Sequence, residues 1–151
     1  MINIFIDADG CPVIEATLSI AEHFSILATI VCDHSHFFDY SNCDMIVVDQ
    51  GKDAVDFEIL HLLEKNDIVV TQDYGLASLV LSKGGFAIHQ NGMIFDDDNM
   101  LNFLNQRYDY GKLRKKTHRY GHMKKRTKAD DETFEKALTK LIKQIMEVID
   151  D

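Results

Sequence analysis

A run that is apolar except for Asn3, Ile2 to Ile6, ends in Asp7-Ala8-Asp9 and is followed by Gly10, Cys11 and Pro12. Two carboxylates two residues apart, between a strand and a helix, are the first residues whose types and spacing suit chemistry. Other acids stand in comparable places: Asp49 after "MIVV", Asp53 and Asp56 within "GKDAVD", and Asp73 in "VVTQD". Asp53 and Asp56 are spaced i, i+3 and share a face at a helix start. Carboxylates drawn together repel unless a cation sits among them. A hard divalent ion meets that need, because Mg²⁺ or Mn²⁺ takes carboxylate oxygens, keeps several waters and binds phosphate in its open positions. Such an ion can activate water against a phosphodiester and stabilise the leaving oxygen. Each acid also has an ordinary role open to it. Asp49, Asp53 and Asp56 suit turns and helix N-termini, and Asp73 before Tyr74-Gly75 suits a helix cap. Asp7 follows the apolar strand directly and serves no cap by itself, so the joint pattern favours a metal site. Asp96-Asp97-Asp98 reads as a cap plus solvent charge. His34/His36 and His118/His122 have loose metal spacing but no cysteine nearby, so zinc is not expected.

The elements that must carry these acids alternate. Residues 2–6 read as a strand covered on both faces. Pro12 suits the first turn of a helix running to about Phe24, with Asp9 or Gly10 near its cap. Strands are expected at 25–31, 44–49 and 67–71, and a loop at 33–43. A helix over 53–65 places Val55, Ile59, Leu62 and Leu63 on one face, and a short helix over 74–85 ends in glycines. Residues 86–89 and 93–95 flank a tight turn at Gln90-Asn91-Gly92. A helix over 97–108 takes Asp97 or Asp98 as cap, and the longest helix spans 130–150 with a Phe134, Leu138, Leu141, Ile145 stripe. This alternation predicts a three-layer α/β/α domain over 1–151, with a mostly parallel central sheet and helices on both faces. Sites in such sheets lie beyond the carboxyl ends of the strands, where the strand order reverses.

Charge is unevenly spread over the chain. From Arg107 to Lys128 there are ten Lys/Arg and one acid, a net of about +9, while the other 129 residues carry six Lys/Arg and 24 acids, about -18. The whole-chain value of -9 therefore conceals a basic segment, "RYDYGKLRKKTHRYGHMKKRTK", with Tyr108, Tyr110 and Tyr120 set among its cations. Cations can follow a phosphate backbone while tyrosines stack on unpaired bases. The same segment would also serve as a solvated loop that neutralises the acidic body. No apolar run is long enough for a membrane span, no basic leader opens the chain, and three cysteines with no CxxC suit a reduced, cytoplasmic setting. Cys11 reads as a small packed residue rather than a nucleophile.

The stretches "FIDADGCPV", "VDQGKDAVDFEIL", "DIVVTQDYGLASLVLSKG" and "NQRY...LR" resemble the YaiI/YqxD family of uncharacterised bacterial proteins, over residues 1 to about 140. That family is regarded as PIN-like, and PIN-type domains are typically Mg²⁺- or Mn²⁺-dependent ribonucleases. The resemblance implies metal and catalytic roles for Asp7, Asp53, Asp56 and Asp73, with Asp9 in support. It departs in the basic stretch before the last helix, which here contains no proline. The leading expectation is a metal-dependent nuclease acting on RNA, with Arg107, Arg114, Lys115, Lys116, Arg119 and Tyr120 on the nucleic acid. An oligomer is compatible with it. One alternative is a non-catalytic nucleic-acid-binding module on the same fold. Another is a phosphatase of the haloacid dehalogenase type, with Asp7 as nucleophile, Asp9 as acid/base and Thr71 as its second motif. Against that, Cys11-Pro12 replaces the usual Thr and no late acidic pair is in place.

Overall fold

The computed structural model describes residues 1–34, 39–49, 51–102 and 125–150, the side chain of Lys52 excepted. At its centre is β1 (Asn3–Asp7), whose side chains alternate between two separate cores: Ile4 and Ile6 enter one and Phe5 the other. An apolar run with no polar face is what a strand covered on both sides requires. β1 pairs in parallel with β2 (Leu27–Asp33) on one side and with β4 (Ile68–Val70) on the other. β3 (Asp44–Val48) extends the sheet beyond β2, and β5 (Phe86–Ile88) extends it beyond β4. The order is β3-β2-β1-β4-β5, parallel throughout.

Helices cover both faces, as expected of the three-layer architecture. On one face α1 (Ile14–His23) and α5 (Lys128–Asp150) pack their apolar sides against Ile4, Ile6, Ile30 and Val70. The α5 stripe Phe134, Leu138, Leu141 and Ile145 is buried, with Ile142 beside it. The other face is covered by α2 (Lys52–Leu62), by α3 (Tyr74–Ser82) and by a helix, α4, that opens at residue 97 and is described as far as 102. Val55, Ile59 and Leu63 are buried there as expected, whereas Leu62 lies at the margin, 36% exposed. Among the described residues no helix is long and apolar enough to cross a membrane.

Several element ends differ from expectation, each for a local reason. Helix α1 starts at Ile14 with Val13 as its cap, so Pro12 lies in the preceding turn and neither Asp9 nor Gly10 caps the helix. The cap of α4 is Asp96, not Asp97 or Asp98: Asp96 Oδ1 accepts from the Asn99 N–H at 2.7 Å, and Asn99 Oδ1 accepts from the Asp96 N–H at 2.8 Å. α5 begins two residues before Asp130, because Thr127 and Asp130 form a reciprocal cap, the Thr127 N–H donating to Asp130 Oδ2 at 2.8 Å. β2 runs two residues past 31, so Asp33 belongs to a strand end and not to a loop. The turn at 90–92 is as expected: the Gly92 N–H donates to the His89 carbonyl at 2.8 Å, and Gly92 takes a φ of 93°.

Candidate functional site

The chain moves outward from β1 through β2 to β3, then crosses back to β4 and outward to β5. The order therefore reverses between β1 and β4, and the cleft beyond their carboxyl ends is the place to look for a site. Asp7 is the last residue of β1 and is 5% exposed. It alternates with Phe5, so it points to the α2/α3 side of the sheet; Thr71 alternates with Val69 in the same sense. The two meet: Thr71 Oγ1 donates to Asp7 Oδ2 at 2.8 Å and accepts from the Asp73 N–H at 3.0 Å. Asp73 caps α3, its Oδ1 accepting from the N–H groups of Gly75 at 2.8 Å and Leu76 at 3.2 Å. A continuous hydrogen-bonded path thus runs from the end of β1 to the start of α3.

After Asp7 the backbone turns. The Cys11 N–H donates to the Ala8 carbonyl at 3.1 Å, and Gly10 between them has a φ of +65°, a conformation that favours glycine. The turn keeps Asp9 on the rim of the cavity that Asp7 enters. Asp7, Asp9, Cys11, Thr71, Gln72 and Gln90 line it, and it has room for one water-sized group, about 10 Å³. Burial pushes the Cys11 thiol up to about 11, with the charge of Asp7 adding to the rise while a hydrogen bond with the Val13 backbone and Arg126 oppose it. The thiol is protonated at neutral pH and is no nucleophile. Burial lowers the pKa of His89, one residue past β5, against a side-chain hydrogen bond with Asn91; its Nδ1 also accepts from the Asn91 backbone N–H at 3.1 Å.

The other expected acids stand on α2. Asp53, in the first turn of α2, is exposed; Asp56, one turn later, is half-buried, with Oδ1 shielded from solvent. α2 follows β3 in the chain and packs back across β2 and β1. Among the described residues no three His, Cys, Asp or Glu side chains form a group able to hold a metal ion. Asp7 and Asp9 share one cavity, Asp73 joins them through Thr71, and Asp53 and Asp56 sit on a separate helix. Such a set suits a hard cation that takes one or two carboxylates and completes its shell with water and substrate phosphate, rather than an all-protein cage. Arg107, Arg114, Lys115, Lys116, Arg119 and Tyr120 lie outside the described residues, as do His36, His118 and His122.

Four residues at this edge escaped the sequence reading: Asp33, Gln72, Gln90 and Arg126. Asp33 Oδ2 accepts from the Gly51 N–H at 3.4 Å, a long contact that ties the end of β2 to the start of α2. Gln72 and Gln90 follow the ends of β4 and β5, and that position was the available signal. Arg126 donates to the Gln90 carbonyl at 2.8 Å and to Asp131 at 2.6 Å.

Fold and site together define an all-parallel α/β protein with an acidic cavity where its strand order reverses. The profile described as "Uncharacterized BCR, YaiI/YqxD family" matches residues 5–144, and the chain belongs to that family. A UPF0178 protein of Clostridium acetobutylicum is 41% identical over 143 residues, covering 93% of this chain and 96% of the relative. One from Exiguobacterium sibiricum is 41% identical over 140 residues, with the same coverage of 93% and 96%. One from Staphylococcus aureus strain Newman is 39% identical over 151 residues, covering 98% and 99%. No solved structure matches the chain.

Proposed function

We propose that this protein is a divalent-metal-dependent nuclease acting on RNA, with Asp7 at its centre. The observation that carries the reading is the burial of the Asp7 carboxylate at the end of the central strand, in one cavity with Asp9 and where the strand order reverses. Asp7 and Asp9 would hold Mg²⁺ or Mn²⁺, with Asp73, Asp53 and Asp56 offered from α3 and α2 once substrate is present. Bound there, the ion supplies an activated water and charge stabilisation for phosphodiester hydrolysis. Thr71 fixes the orientation of Asp7 through Oδ2. The cations Arg107, Arg114, Lys115, Lys116 and Arg119, with Tyr120, would hold the strand.

Calorimetric titration of Mn²⁺ into the metal-free protein tests this first, wild type beside Asp7→Asn. Binding in the wild type that vanishes in the variant, together with RNA cleavage by the wild type alone, is the expected result. Wild-type protein that takes up no Mn²⁺ with or without RNA would sink the metal reading. RNA binding by both proteins without cleavage by either would mark a binding module.

A second reading has one specific observation behind it. Asp7 with Asp9 two residues on, and a threonine hydroxyl on Asp7 from the neighbouring strand end, is also the arrangement expected of a haloacid-dehalogenase-type phosphatase. Turnover of a small phosphomonoester with no action on polynucleotides would select it.

A further inference from the structure

Arg126 enters α5 one residue before its cap, Thr127. Its Nε donates to Asp131 Oδ1 at 2.6 Å, and its Nη2 donates to the Gln90 carbonyl at 2.8 Å. One partner lies on α5 and the other on the turn after β5, so the guanidinium is fixed from two elements. Gln90 lines the cavity of Asp7 and Asp9, so this fixed cation stands one hydrogen bond from the cavity lining. The side chain is 23% exposed, so part of it is reached from solvent. A guanidinium carries five N–H donors in a plane suited to phosphate oxygens, and these two bonds engage two of them.

The cavity explains why such a cation is needed. Two carboxylates line it, and an anion approaching them requires a counter-charge. The space admits a phosphate oxygen and is far too small for a nucleobase. A nucleobase would stay outside it, whereas a phosphate could present one oxygen to it.

We infer that Arg126 holds a phosphate oxygen of a single-stranded polynucleotide at the mouth of the Asp7–Asp9 cavity, whatever the base. The inference rests on the phosphodiester reading above, but its test reads binding and not cleavage. Fluorescein-labelled oligouridylate and oligoadenylate would be titrated by anisotropy across a salt series, in Ca²⁺-containing buffer. For Arg126→Gln the slope of log affinity against log salt is expected to fall by about 0.7, the value of one single-strand phosphate. Both oligonucleotides should weaken equally. Arg126→Lys, which keeps the charge, and Asp131→Asn, which loosens the tether and keeps the cation, should retain the wild-type slope. A wild-type slope in Arg126→Gln, or weakening confined to one base, overturns the assignment. Should Arg126→Gln fail to fold, single methylphosphonate replacements in the oligouridylate read the same contact in wild type and Arg126→Lys. One dominant linkage, less dominant in the lysine variant, supports the contact; no linkage standing out overturns it. Wild type that binds with an Arg126-dependent slope yet cleaves neither oligonucleotide when Ca²⁺ is replaced by Mg²⁺ or Mn²⁺ removes the nuclease reading and leaves Arg126 in place. Wild type that binds neither oligonucleotide overturns the inference.

Discussion

Thr71 has one hydroxyl hydrogen, and it goes to Asp7 Oδ2 while the oxygen accepts from the Asp73 N–H. Thr71→Val keeps the shape but strips a buried carboxylate oxygen and a backbone N–H of this partner. A stability loss of about 1–3 kcal/mol is expected by urea unfolding, most of it restored in Thr71→Ser. His89 gives a second expectation, in pH. Its folded pKa is lowered below 6.5, mainly by burial, so the unfolded chain takes up the proton first. Stability present above pH 6.5 is therefore lost as pH falls toward the lowered value. Unfolding curves across that window should show a shallower pH slope for His89→Phe, whatever its absolute stability. Asp7 was legible in the sequence because an acid directly ending an apolar strand has little structural use. Gln90 and Arg126 were not, because their meeting depends on where the turn after β5 touches the start of α5, across 36 residues of chain.

Caps decide the element starts, and they separate two roles for Asp73. As the cap of α3 its loss in Asp73→Ala should cost about 1 kcal/mol, while Asp73→Ser keeps the cap. Thermal unfolding of both variants checks this, and Mn²⁺ titration of Asp73→Ser then asks the separate question: weakened binding at unchanged stability marks a ligand. The turn at 8–11 is a further test. Gly10→Ala forces a side chain into a φ of +65° and should cost roughly 1–2 kcal/mol in the same assay. Helix existence was readable from apolar periodicity, as the buried stripe of α5 shows. Helix starts were less so. The Ala8–Cys11 turn uses up the residues that would otherwise have begun α1, and Asp96 has two acidic neighbours that look equally suitable until Asn99 answers it.

The alternation of strands and helices predicted parallel layers, but not which strand lies beside which. Neighbours in this sheet are set by long connections, and nothing local in "INIFI" says that β4 rather than β3 lies beside it. The placing of Asp53 and Asp56 depended on that order, since α2 follows β3 yet packs across β2 and β1. β1 and β4 are fastened to each other near both ends, each time across 64 residues: the Asn3 N–H donates to Asp67 Oδ1 at 2.9 Å, and Thr71 donates to Asp7 at 2.8 Å. Asp67 Oδ2 also accepts from the Glu64 N–H at 2.8 Å. Asp67→Ala leaves two N–H groups without that acceptor, and a loss of about 2–5 kcal/mol is expected in urea unfolding. On a ribosome this paired fastening sets a schedule. β1, α1 and β2 emerge first, yet the central strand keeps one edge unpaired until residues 67 to 71 have cleared the exit tunnel. A nascent chain arrested before residue 67 would carry Asp7 without Thr71 and should remain protease-sensitive, whereas the protected species should appear once β4, β5 and α5 are all outside the tunnel.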